Sequence, residues 1–117
     1  MGSAMVHLEI KVTNMARAKK FYGKMFGWKF RAMMPEYQVY NPGGDEAGGA
    51  LSLVKKIAKG EAACPYFGVK SIEKSIAQAK KFKVKVVMPK MEIGGGHGFM
   101  AQIKDSEGNL IGLWNMK

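Results

Sequence analysis

The sequence predicts an α+β fold of two βαβββ modules, whose curved mixed sheets would enclose a cleft, and three observations carry that prediction. The first is a change of period. Residues His7 to Val12 alternate apolar and polar, whereas from Met15 onward apolar residues recur at three- and four-residue steps. The second is that the same change recurs after Cys64: laying Val69 over Val12 puts Ser71 on Asn14, Ile72 on Met15 and Cys64 on His7. The third is that each helical stretch is followed by three short apolar runs between turn-forming residues. One such unit leaves a sheet face bare, so two must combine, within one chain or by exchange between chains.

In chain order, the first strand puts Leu8, Ile10 and Val12 on one face and His7, Glu9 and Lys11 on the other. Asn14 caps a helix whose apolar stripe is Met15, Ala18, Phe21, Tyr22 and Met25, and Gly27 stops it. Trp28 to Met33 and Tyr37 to Tyr40 form a hairpin about Pro35-Glu36. Asn41 to Gly49 is turn-forming throughout and reads as a mobile rim loop, Ala50 to Val54 as a strand, and Lys55 to Ala63 as a polar linker. In the second half Tyr66 to Val69 is a strand and Ser71 an N-cap. Ile72, Ile76, Ala79 and Phe82 mark a helix running to about Lys83, with Lys74, Lys80, Lys81 and Lys83 on its other side. Val84 to Met88, Phe99 to Lys104 and Leu110 to Asn115 complete the repeat, the last two joined by the turn Asp105 to Asn109. The expected modules are residues 5–60 and 61–117, in one domain, with Met1 to Ala4 resembling a cloning remnant ahead of a start at Met5.

A chain of 117 residues, 47% hydrophobic and 24% charged, can bury a core without disulfides or metal. No apolar run approaches the ~20 residues that span a bilayer, so no membrane partner is expected. The single cysteine excludes an internal disulfide, and a reducing cytoplasm is the expected compartment. The net charge of +10 favours anions in general. Its carriers are nearly all lysine, with Arg17 and Arg31 the only arginines, whereas planar-fork recognition of bases and phosphates favours arginine, so nucleic acid is not the expected partner.

Three segments carry a resemblance: His7-Leu-Glu-Ile-Lys-Val with Arg17 to Trp28, then Tyr66-Phe-Gly-Val with its helix, and Asp105-Ser-Glu-Gly-Asn-Leu-Ile-Gly-Leu-Trp114. Over the whole chain the pattern resembles the vicinal oxygen chelate superfamily, the group of glyoxalase I, the bleomycin-resistance proteins and the extradiol dioxygenases. Phe26-Gly-Trp28 and Gly108 to Leu113 look most like its small glyoxalase-like members. In metal-using members the resemblance implies four ligands, from the first and last strands of each module. Here those positions read His7, the strand around Ser52, Cys64 and Gly112, so one of four is recognisable and no metal cofactor is expected; a metal, if held, would sit on His7.

The expected catalytic residues are His7 and Glu9, about 7 Å apart along one strand face. His7 suits metal binding, general-base work or a plain hydrogen-bonding role. Lys11 on the same face would hold an anion or be solvated. The expected ligand-binding set is Lys11, Tyr40, Cys64, Tyr66, His97 and Trp114: aromatic rings with polar tips, a cysteine that is either a thiolate or an inert core residue, and a histidine in Gly94-Gly-Gly-His-Gly98. That glycine run lacks the Lys-Ser/Thr of a P-loop and leads into a strand, so it reads as a hairpin or lid. The expected function is cleft binding of a small anionic or carbonyl-bearing molecule by a homodimer without a complete metal site. The alternative is a metal-dependent lyase, isomerase or dioxygenase recruiting Glu9, Cys64 or His97. Binding of bleomycin, a cationic drug, is disfavoured by the positive field.

Overall fold

The computed structural model describes residues 2–117; Met1, the first residue of the expected remnant, lies outside them. The elements are β1 (Met5–Val12), α1 (Met15–Phe26), β2 (Lys29–Met34), β3 (Tyr37–Asn41), β4 (Gly49–Leu53), β5 (Ala63–Gly68), α2 (Ile72–Lys81), β6 (Val86–Glu92), β7 (Phe99–Lys104) and β8 (Leu110–Asn115). This is the α+β, twice-repeated βαβββ order. The chain divides into two compact units, His7–Ala63 and Cys64–Lys117, the latter joined by the N-terminal residues through Val6. The division thus falls at Ala63/Cys64 instead of residue 60/61, and the N-terminal segment groups with the second unit, where the Gly68 amide donates to the Ala4 carbonyl.

In the first unit the strand order is β2-β3-β4-β1, with β1 and β4 parallel and the other pairs antiparallel, so the sheet is mixed. The Asn14 side chain accepts from the Arg17 amide at 3.0 Å, and Gly27, left-handed at φ 69°, closes α1 by donating to the Gly23 carbonyl. Gly49, expected in the loop, instead opens β4. A Cβ there would lie 1.8 Å from the Leu8 carbonyl oxygen, so only glycine lets β1 and β4 meet in this register.

The second unit repeats the order as β5-β8-β7-β6, with β5 and β8 parallel. Ser71 caps α2 by accepting from the Lys74 amide, and the helix stops at Lys81, short of the expected Lys83, which adopts the left-handed φ of 60° that ends the turn. Ile72 and Ala79 of α2 pack on Ala101, Ile103 and Leu113, which makes this the helix-covered face of the sheet. The strand expected over Val84 to Met88 starts two residues later and continues past Pro89 to Glu92. A central strand could not accept that proline, but β6 ends the sheet and its pairing shifts register twice, at Val86/Met88 and Met88/Met91. Asp105 holds the β7–β8 turn through bonds from the Glu107 and Asn109 amides and the Asn109 side chain.

Candidate functional site

Strand register decides which side chains meet in the first unit. Ala50 is level with Glu9 and Val39, and Ser52 with Lys11 and Tyr37. Side chains alternate along each strand, so His7, Glu9, Lys11, Tyr37 and Ser52 share one face, and Ile10, Gln38, Tyr40 and Leu51 share the other. The second of these faces belongs to α1. Tyr22 of α1 stacks on Trp28 with ring centroids 5.0 Å apart, and Trp28 stacks on Tyr40 at 3.8 Å.

On the face opposite α1 the Tyr37 hydroxyl lies 3.3 Å from His7 Nε2 and donates to Glu9 Oε2 at 3.4 Å. Since that hydroxyl gives its proton to the carboxylate, its oxygen is placed to accept from a protonated Nε2, which aligns imidazole, phenol and carboxylate in one relay. Both ends of the relay are shifted by burial. Desolvation lowers the His7 pKa and so favours the neutral imidazole; desolvation also raises that of Glu9, against the opposing Lys11 charge and the Tyr37 hydrogen bond. Lys11 Nζ lies 3.5 Å from Glu61 of the linker, whose next residue, Ala62, accepts the Lys11 amide at 2.8 Å. The result is a partly buried patch of a base, an acid, a phenol and a cation, able to hold a polar ligand or pass a proton.

Of the expected site residues, the structure brings His7, Glu9 and Lys11 together here. Tyr40, expected to line the ligand surface, is corrected to a core residue: it is 4% exposed on the α1 face, its hydroxyl donates to the Leu8 carbonyl, and burial raises its pKa. Tyr37 takes the place meant for it. The signal was present, because two residues three apart in a strand cannot share a face.

In the second unit Cys64 and Tyr66 form a small cluster with Leu110, Val87 and Met100, apart from the helix-facing core. Cys64 is buried, with Sγ 4.0 Å from the Pro65 carbonyl oxygen. Tyr66 is level with Gly112 on the parallel neighbour β8, and its hydroxyl accepts from Gln102 at 2.6 Å. Trp114 shares the face of Gly112, and its indole N–H donates to the His97 carbonyl; the His97 side chain is exposed in the hairpin between β6 and β7. Gln102 carries no motif and was not foreseen.

Two βαβββ units, each a helix against a mixed four-stranded sheet of one strand order, define the glyoxalase type of α+β protein. The chain matches the Glyoxalase/Bleomycin resistance protein/Dioxygenase superfamily over residues 4–113, and it belongs to that superfamily. Among solved structures it is similar to a hypothetical protein from Bacillus halodurans (20% identity, TM-score 0.70, 97% of this chain and 94% of that one). It is also similar to methylmalonyl-CoA epimerase from Mycobacterium tuberculosis (15%, 0.66, 94% and 85%). A third likeness is to homoprotocatechuate 2,3-dioxygenase from Brevibacterium fuscum (16%, 0.72), where 94% of this chain covers 31% of that one. No curated protein matches the chain.

In the second unit, the position at which the resemblance implies a glutamate ligand does not accommodate one. At Gly112, where a glutamate would stand, a Cβ would lie 2.2 Å from the Tyr66 ring, so the aromatic side chain occupies the space a carboxylate would need. Among the described residues, moreover, no three His, Cys, Asp or Glu side chains gather into a group that could hold an ion.

Proposed function

We propose that the protein binds a small anionic or carbonyl-bearing molecule on the face carrying His7, Glu9, Tyr37 and Lys11, without a complete catalytic metal site. The observation that supports this most directly is the Tyr37 hydroxyl between His7 Nε2 and Glu9 Oε2. A ligand carbonyl oxygen that replaces Glu9 as acceptor takes the Tyr37 O–H, the His7 N–H still donating to the phenol oxygen, and Lys11 offers a cation to a carboxylate once Glu61 is displaced. The raised Glu9 pKa suits a group that takes up and returns a proton, so the same patch can act as an acid–base pair on a bound ligand. Two of the structural neighbours are named for reactions of organic substrates, an epimerase and a dioxygenase. The acting form is a homodimer, since β2 and β6 end the strand orders of their units as edges that need cover.

Thermal-shift screening with small carboxylates, ketones and oxo-acids tests the ligand class. A ligand present at a hundred times its dissociation constant adds ~2.7 kcal/mol to stability. Shifts with acids or ketones that weaken in Tyr37→Phe and Lys11→Gln support the reading, and a panel in which only cations shift the protein overturns it. Calorimetric titration with nickel, zinc, manganese and iron(II) tests the metal reading. Sub-micromolar binding of one ion, lost in His7→Ala, would establish the metal-dependent alternative.

A further inference from the structure

The outer surface of α1 is unlike the rest of the helix. Arg17, Lys20 and Lys24 follow one another at steps of three and four residues and are exposed, with Lys29 just beyond the helix end. Beside them stand Phe21 and Met25, at 55% and 59% exposure. Phe21 and Met25 are four residues apart and form one apolar ridge along the cationic line. No Asp or Glu occurs in α1, and among the described residues none of these four cations forms an ion pair. Of the apolar stripe expected to face the sheet, Tyr22 makes the stack through Trp28 to Tyr40 and Phe26 packs on Trp28 at 5.4 Å, whereas Phe21 meets only the edge of Tyr22 and, with Met25, stays more than half exposed.

Bulky apolar side chains beside an uncompensated row of basic ones, on a helix lying along a surface, are what an interfacial helix presents to a charged bilayer. A second copy of the chain is a poor occupant, since symmetric docking would bring two rows of Arg17, Lys20 and Lys24 together in a molecule already at +10. A purely polyanionic partner would leave Phe21 and Met25 without a role. We propose that α1 is a docking surface for an anionic phospholipid membrane, with Phe21 and Met25 entering the headgroup region and Arg17, Lys20, Lys24 and Lys29 pairing with lipid phosphates. Among the described residues no helix is long and apolar enough to cross a membrane, and a peripheral contact needs none.

The test is co-sedimentation of the full chain with phosphatidylglycerol–phosphatidylcholine vesicles and with phosphatidylcholine vesicles, at low and high salt. The expected result is binding to the anionic vesicles alone, weakened by salt, with Lys20→Gln/Lys24→Gln losing about fivefold per residue removed. Phe21→Ser/Met25→Ser, which gives up one edge contact to Tyr22 and is checked for retained fold by circular dichroism, must also weaken binding. Hydrogen exchange on the wild-type protein gives a readout independent of any variant: vesicles should protect residues 15–29. Three outcomes overturn the proposal: no anionic-vesicle binding, binding indifferent to Phe21 and Met25, or a duplex DNA of matched charge competing fully through the same lysines.

Discussion

At the scale of single residues, the Tyr37 hydroxyl is the group on which the candidate site turns, and its bonds at 3.3 and 3.4 Å are long. Tyr37→Phe should therefore cost at most about 1 kcal/mol in stability. Because that hydroxyl lowers the Glu9 pKa by donating to it, the variant should titrate Glu9 at higher pH than the wild type, as read by carboxyl NMR shifts. The pH dependence of stability has opposite signs at the two ends of the relay. His7 is held below its ordinary 6.5, so the unfolded chain binds the proton more readily and stability falls as pH drops through 6.5 towards the lowered value. Glu9 is held above 4.5, so folding gains stability as pH falls from its raised value towards 4.5. Thermal unfolding across this range should show His7→Gln losing less stability on acidification than wild type does. In the second unit, Gly112→Ala drives a methyl against the buried Tyr66 ring, and overpacking of this kind costs about 1–3 kcal/mol. The same change in a Tyr66→Ala background should cost much less, which a double-mutant cycle by urea unfolding would measure.

At the scale of elements, both helices owe their starts to a side-chain cap and their position to an aromatic or aliphatic stripe. Asn14→Ala and Ser71→Ala remove the acceptors for the Arg17 and Lys74 amides, and each should lower stability by about 1 kcal/mol in chemical denaturation. The caps are local, so the residues that reveal them lie within three positions of one another. The strand boundaries followed a different logic. Pro89 argues for a strand end when the chain is read alone, and only the place of β6 at the sheet edge, with its two register shifts, lets the strand continue.

At the scale of the whole molecule, the proposed homodimer has a direct check. Sedimentation at micromolar concentration should give a species of twice the 12.9 kDa chain mass, and a single species near 12.9 kDa would remove the proposal. The net charge of +10 adds a condition: self-association that buries edge strands should be stronger at moderate salt than at low salt, because screening relieves the repulsion between copies.

What the sequence determined by itself is whatever depends on near neighbours: the change of period at Asn14 and Ser71, the left-handed stop at Gly27, the Asp105 turn and the repetition of the unit. His7, Glu9 and Lys11 were legible as one polar face because a strand alternates by construction. The tertiary structure alone decided the partners across strands. Tyr37 joins His7 and Glu9 through the β1–β4 and β4–β3 registers, Tyr40 is drawn to Trp28 on the opposite face, and Gly49 and Gly112 are required by a carbonyl and an aromatic ring from strands far away in sequence. The physical reason is that turns and caps are set by the dihedral angles and side chains of a few consecutive residues. A pairing register is set by the packing of whole faces, and no short stretch of chain carries that information.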